Sequence, residues 1–157
     1  MHGWEQELRA RLERATGGIP CVTFSRAIVT ALTYLGLRRV VVATASIDEL
    51  HRVEEQSVTV NRAEVPAIRG LGIRRPTDIN KCSSKDALDL ALALPHRQAD
   101  GNAISCTNVR TIEVLSELEH WTGKSGFSSQ VAALWAVLRW RQWPRGPAPG
   151  RGRLLAT

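Results

Sequence analysis

The chain has 157 residues, 43% hydrophobic and 23% charged, with a formal net charge of +6, which is ordinary usage for one compact domain. Its three cysteines (Cys21, Cys82, Cys106) form neither a CxxC pair nor an even-numbered framework, its four histidines do not cluster, and it has no apolar run of membrane-spanning length. These features argue against a disulfide scaffold, a metal site, a membrane span and a secretory signal, and a cytoplasmic setting is expected.

Glu5 to Ala15 is predicted as a first helix, with Leu8 and Leu12 one turn apart and the Gly17-Gly18 pair closing it. A brief strand is expected around Cys21-Val22-Thr23. Ser25 is placed to cap a helix from Arg26 to Leu35, whose Ile28, Ala31, Leu32 and Leu35 make an apolar stripe ending at Gly36. The β-branched run RRVVVAT, Arg38 to Thr44, reads as a buried parallel strand. Ile47 to Gln56 follows as a helix with Asp48 and Glu49 in its first turn, where negative charge is favoured.

Ser57 to Ile68 has a mixed period and is expected to end in a strand over Val65 to Ile68. Gly70-Leu71-Gly72 lacks the third glycine of a dinucleotide fingerprint, so it gives a nucleotide site little support. Ser83 with Asp86 forms a capping-box start to a helix from Lys85 to Leu94, which Pro95 ends. A strand over Asn102 to Ser105, a helix from Arg110 to Trp121, a short strand near Phe127 and a helix from Gln130 to Arg139 complete the set. The remainder, WRQWPRGPAPGRGRLLAT, holds Arg139's followers Arg141, Arg145, Arg151 and Arg153, and these five arginines account for five of the six net charges. Rich in Pro and Gly and without hydrophobic period, residues 144–157 are expected to be a disordered basic tail. Arginines interleaved with Trp140 and Trp143 leave nucleic-acid binding open as the weaker reading, beside that of a solvated extension.

Alternating strands and helices predict an α/β fold with a parallel sheet covered by helices on both faces. Ligands of such sheets bind beyond the carboxyl ends of the strands, and Cys106 falls there. With a helix expected to start just after it, Cys106 would sit at a helix N-terminus, a place that lowers a thiol pKa and seats a carboxylate. Thr44, Ala45 and Ser46, and Ser128 with Ser129, would complete one rim. The plain alternatives are that Cys106 is a small buried hydrophobe and that the rim residues are ordinary caps and turns.

The segment ISCTNVRTIEVLSELEHWTGK, followed by FSSQVAALWAVLR, resembles the C-terminal signature of the aspartate/glutamate racemase superfamily, in its maleate cis-trans isomerase and arylmalonate decarboxylase branch. GWEQELRARLERATGGIP, RAIVTALTYLGLRRVVVAT, IDEL and RGLGIRRPTDI resemble successive blocks of the same family in the same order, so the resemblance runs from about Gly3 to about Arg139. It implies two similar α/β halves, with residues 1–36 a remnant of the first, 37–129 a complete Rossmann-like second half carrying Cys106, and 130–143 a helix returning to the first. It implies cysteine acid/base chemistry at carbon next to a carboxylate, without metal or organic cofactor, on a small dicarboxylate-type substrate. Cys106 matches the second-half cysteine. Thr107 and Asn108 would hold a carboxylate, and Thr44 or Ser46 would line the opposite rim.

The chain also departs from the family pattern. The first-half cysteine of a CTS-like loop has no counterpart, and Cys21 lies beyond the block where it would fall. Ser46 stands where the family often has tyrosine, an asparagine expected near Arg75-Pro76 is absent, and the SSNQA-type motif reads Ser128-Ser129-Gln130-Val131-Ala132. The expectation is therefore an impaired isomerase, racemase or decarboxylase. The alternative is a non-catalytic or degenerate member that binds a small acid or a partner chain, with self-association through exposed apolar surface.

Overall fold

The computed structural model describes residues 2–59, 63–142, 148 and 150–156. Its elements run α1 (His2–Ala15), α2 (Phe24–Tyr34), β1 (Val40–Thr44), α3 (Asp48–Thr59), β2 (Ile68–Gly70), α4 (Pro76–Ile79), α5 (Ser84–Leu92), β3 (Gly101–Ser105), α6 (Leu115–Thr122), β4 (Ser125–Ser128) and α7 (Ser129–Trp140), with single 3-10 turns at His96–Gln98 and Arg153–Leu155.

The four strands form one parallel sheet in the order β2-β1-β3-β4. β1 is buried along its whole length, as a central strand covered on both sides must be. Its register places Val42 opposite Ala103, and Ala103 opposite Phe127, in one row, and Ala43 with Ile104 in the next. Successive residues of a strand point to opposite faces. The Val42 row meets Ile28 of α2 and Val58 of α3, whereas the Ala43 row meets Ala87 and Leu90 of α5. Helices thus cover both faces, α2, α3 and α7 on one side and α5 with α6 on the other. Among the described residues no helix is long and apolar enough to cross a membrane.

Several local expectations give way to tertiary bonds. The strand expected at Cys21-Val22-Thr23 is extended coil: the Cys21 N–H donates to the Glu13 carboxylate at 3.3 Å rather than to a strand carbonyl. Thr23, not Ser25, caps α2, its hydroxyl accepting from the Arg26 N–H at 3.2 Å. The capping box at Ser83 and Asp86 is present in both directions.

The helix expected from Arg110 does not begin until Leu115. Thr111, fully buried, sends its hydroxyl to Ser128 Oγ at 2.7 Å, and Gln130 Nε2 bonds the Thr107 carbonyl. With Val109 buried in the core as well, residues 106–114 are held as a loop. Cys106 therefore does not sit at a helix N-terminus, and the helix-dipole reason for its reactivity is withdrawn.

The expectation of a disordered tail is corrected for its last described stretch. Leu154 is completely buried, Gly152 donates to Ser116 Oγ at 3.1 Å, and the Arg153 N–H donates to the Glu119 carboxylate at 2.9 Å. Composition misled here because two leucines suffice to dock a short turn against α7 and β4. Residues 143–147, 149 and 157, including Trp143 and Arg145, lie outside the described residues.

Candidate active site at the carboxyl edge of the sheet

β1 and β3 end side by side, with Thr44 in register with Ser105. The chain then turns out of the sheet at both places, which brings Ala45 and Ser46 next to the loop that opens with Cys106. Cys106 is half-buried with a free thiol, and packs against the core rather than inside it. Its immediate surroundings are Ala43, Thr44, Leu71, Ala87, Leu90, Ile104 and Val109, around a void of about 10 Å³. That space holds at most a water molecule, so a substrate would lie over Cys106 on the open edge.

Thr107 and Asn108 are exposed, and the Thr107 hydroxyl bonds Asn108 Oδ1 at 3.3 Å. Thr44 is buried: its Oγ1 lies 2.9 Å from the Ser105 carbonyl and 2.9 Å from Glu54 Oε1, and accepts from the Ser46 N–H at 3.3 Å. Ser46 Oγ lies 2.8 Å from the same Glu54 oxygen. The structure thus brings Thr44, Ser46 and the peptide before Cys106 into one hydrogen-bonded group. Thr107 and Asn108 stand apart from it, on the loop. Ser128 and Ser129 are buried, the first as the cap of α7.

Two participants are absent from the expectations drawn from sequence. Thr111 fixes the Cys106 loop from behind. Glu54 holds the β1 side, and a signal for it existed. On α3 the apolar Leu50 and Val53 are 49% and 58% exposed, whereas the His51 side chain is only 13% exposed and Glu54 faces the sheet. Val58 keeps the far end of the helix apolar against the sheet, so it is the first two turns that depart from the ordinary amphipathic pattern. Gly70 completes the wall by close approach, since a Cβ there would come within 2.2 Å of the Ser46 carbonyl oxygen and 2.6 Å of His51 Nε2.

The thiols differ electrostatically. Burial, then the Asp86 carboxylate and the Cys106 sulfur, push the Cys82 thiol up from its ordinary range. Cys82 is thereby kept protonated near neutral pH. Among the described residues no group of three or more His, Cys, Asp or Glu side chains is placed to hold a metal.

A second concavity lies on the α1, α2 and α7 side, with a volume of about 460 Å³ between Arg9, Arg26, Trp135, Arg139 and Trp140. None of the expected site residues lines it.

Comparisons with known proteins fit this architecture. A family model described as arylmalonate decarboxylase matches residues 2–155. Arylmalonate decarboxylase of Bordetella bronchiseptica is 30% identical over 146 residues, covering 90% of this chain. This chain spans only 60% of that relative's length. A crystal structure of arylmalonate decarboxylase superposes with a TM-score of 0.87 at 28% identity, over 98% of this chain and 68% of the other. A maleate cis-trans isomerase of Nocardia farcinica shares the fold, with a TM-score of 0.89 at 20% identity, over 99% and 63%.

Proposed function

This chain belongs to the arylmalonate decarboxylase family, and from that premise we propose that it carries the cysteine-bearing part of an enzyme that transfers a proton at carbon next to a carboxylate. The observation that carries the reading is the position of Cys106, the first residue beyond β3, beside the end of β1 at the sheet's carboxyl edge. There the thiol can give a proton to a carbanion or enediolate, and the resulting thiolate is reprotonated from water. In a decarboxylation the bond to the departing carboxyl breaks, carbon dioxide leaves, and its electron pair is protonated by Cys106. In a racemisation the thiolate takes the proton instead, and a second acid must stand on the opposite face of the substrate. The chemistry calls for neither metal nor organic cofactor.

In this reading the exposed Thr107 and Asn108 receive the reacting carboxylate through backbone N–H groups and side chains, and Thr44 and Ser46 form the other rim. The substrate is a small acid of the dicarboxylate type. A cytoplasmic setting suits three free thiols. The chain spans 60% of the Bordetella relative's length, and in this reading the opposite wall of the cleft is built by residues outside this stretch. Orientation and preorganised donors supply most of the barrier reduction in such chemistry, so the chain alone is expected to be nearly inert.

The test is to assay the purified chain with arylmalonate, maleate and an α-amino acid in deuterated water, alone and then grafted to the leading third of an arylmalonate decarboxylase. The chain alone should give no turnover, and the graft should be active. Cys106→Ala in the graft should lower the rate about 100-fold or more. A graft indifferent to Cys106→Ala would place the chemistry elsewhere. A second reading, a non-catalytic chain that binds a small acid or a partner, is favoured by the open α1, α2 and α7 side. A folded but inactive graft would support it.

A further inference from the structure

We propose that the concavity bounded by α1, α2 and α7 is a binding site for a small organic anion, a carboxylate on an aromatic body. Arg139 anchors the carboxylate, and the Trp135 and Trp140 indoles seat the ring. The residues that line this concavity are not those around Cys106, and the inference holds whether or not Cys106 is the reacting group.

Size is the first argument. The concavity has a volume of about 460 Å³, within the span of sites that bury a small molecule, roughly 300–1,000 Å³. The void beside Cys106, at about 10 Å³, falls far below it. The lining combines apolar and cationic groups, with Trp135, Ala136 and Trp140 beside the guanidinium groups of Arg9, Arg26 and Arg139.

Those charges are not cancelled from within. Glu13 is the one carboxylate among the described lining residues. It is already engaged, 3.0 Å from Arg9 Nη1 and accepting the Cys21 N–H at 3.3 Å. Among the described residues neither Arg26 nor Arg139 has a carboxylate within ion-pair distance. Two positive charges without a counter-charge therefore face the same space.

Arg139 is the better prepared of the two. Its guanidinium carbon lies 4.8 Å from the Tyr34 ring centroid and 5.1 Å from that of Trp135. Two rings thus hold a long side chain in place, which lessens the entropy it loses when a ligand binds. A guanidinium laid over a ring uses its face, and the N–H groups around its edge remain as a planar fork that matches a carboxylate. Trp135 is buried and Trp140 half-exposed. Arg141 lies over the Trp140 ring at 5.6 Å, which adds positive charge beside the same indole.

The combination selects the ligand. A purely apolar molecule would cover guanidinium charge without pairing it, and a bare inorganic anion would leave the indole surface unused. A second copy of this face, packed about a two-fold axis, would set arginines against arginines. An aromatic carboxylate satisfies both the charge and the rings.

Naphthoate and its neutral counterpart naphthamide are the probes, because they share a ring system and differ in charge. Cys21 lines the concavity, so its labelling by iodoacetamide in the whole folded chain, read by peptide mapping, reports occupancy, with Cys82 as the control. Naphthoate should slow Cys21 labelling saturably and leave Cys82 unchanged. Naphthamide should need about tenfold or more higher concentration for the same protection, and Arg139→Gln should weaken naphthoate by about tenfold or more, as expected for loss of a charge-assisted pair. Equal protection by the two probes, an affinity for naphthoate unmoved by Arg139→Gln, equal slowing of all three thiols, or no protection up to the solubility limit would each overturn the inference. Should Arg139→Gln disturb the fold, Trp140→Ala at its half-exposed position supplies the second arm. It should weaken naphthoate by about threefold or more, and unchanged binding would overturn the inference.

Discussion

The carboxyl edge of the sheet and the outer side of α1, α2 and α7 are built to different degrees of completion. At the sheet edge the buried polar side chains Thr44, Thr111 and Ser128 have partners at 2.7 to 2.9 Å. On the helical side, Trp135 is 1% exposed with its Nε1 unpartnered, while Trp140, five residues on, is 49% exposed and Trp4 is 67% exposed. Arg139 lies over the Tyr34 and Trp135 rings at 4.8 and 5.1 Å, filling part of the space beside the groove with a guanidinium. The sheet edge that bears the cysteine is closed around buried, bonded side chains. The other side leaves Trp4 and Trp140 exposed around a concavity of about 460 Å³.

The contrast can be broken most forcefully with tryptophan. Trp135→Ala should cost about 3–5 kcal/mol in urea unfolding, because it empties a closed site, whereas Trp140→Ala should cost under about 0.5 kcal/mol. Equal losses would mean that the helical side is packed as tightly at Trp140 as at Trp135. Leu154→Ala should cost about 2–5 kcal/mol, as for any buried leucine, and should expose the C-terminal turn to proteolysis. A loss near zero would return the tail to the disordered state first expected of it.

A smaller effect tests the edge itself. Thr111→Val removes the Thr111 donor from Ser128 Oγ in a closed space, leaving it only the Val131 N–H, which should cost about 1–3 kcal/mol and speed amide exchange over residues 106–114 more than over β1. Uniform exchange would mean that Thr111 does not hold the Cys106 loop.

The smallest effect concerns Glu119. Burial pushes its carboxyl up, against the lowering influence of the Gly126 and Arg153 N–H groups and the Arg153 charge. A raised carboxyl binds its proton more tightly folded than unfolded, so its contribution to stability is greatest below the ordinary carboxylate range and is lost as pH rises through the raised value. Glu119→Gln should therefore flatten the fall in stability just above that range, by under about 1 kcal/mol. An unchanged pH profile would locate the titration elsewhere.

Much of the fold is legible in the sequence because it is specified locally. VVVAT is β-branched and buried from end to end, and Ser83 with Asp86 closes a capping box with no help from elsewhere. Gly36 closes α2 with φ +67°, where a residue with a Cβ would be strained. What the sequence hides is set at a distance. Thr111 looks like part of a helix until Ser128, seventeen residues on, claims its hydroxyl. Thr23 takes the cap that Ser25 could have taken, and so consumes the expected strand. Leu154 is anonymous without the surface of α7 and β4.

The candidate site divides in the same way. Cys106 stands out because a strand end and a family signature coincide there, whereas Glu54 shows only as a polar residue on the wrong side of α3. The partner of a carboxylate on a helix depends on register across the sheet, which no window of sequence contains.

The central claim is that Cys106 is the reacting thiol, and competitive alkylation of the folded chain at neutral pH tests it most directly. With iodoacetamide limiting and the three cysteine peptides quantified over time, Cys106 should label first and Cys82 last, since burial and Asp86 hold the Cys82 thiol protonated. Labelling of Cys82 as fast as Cys106, in a chain shown to be folded, would contradict the claim.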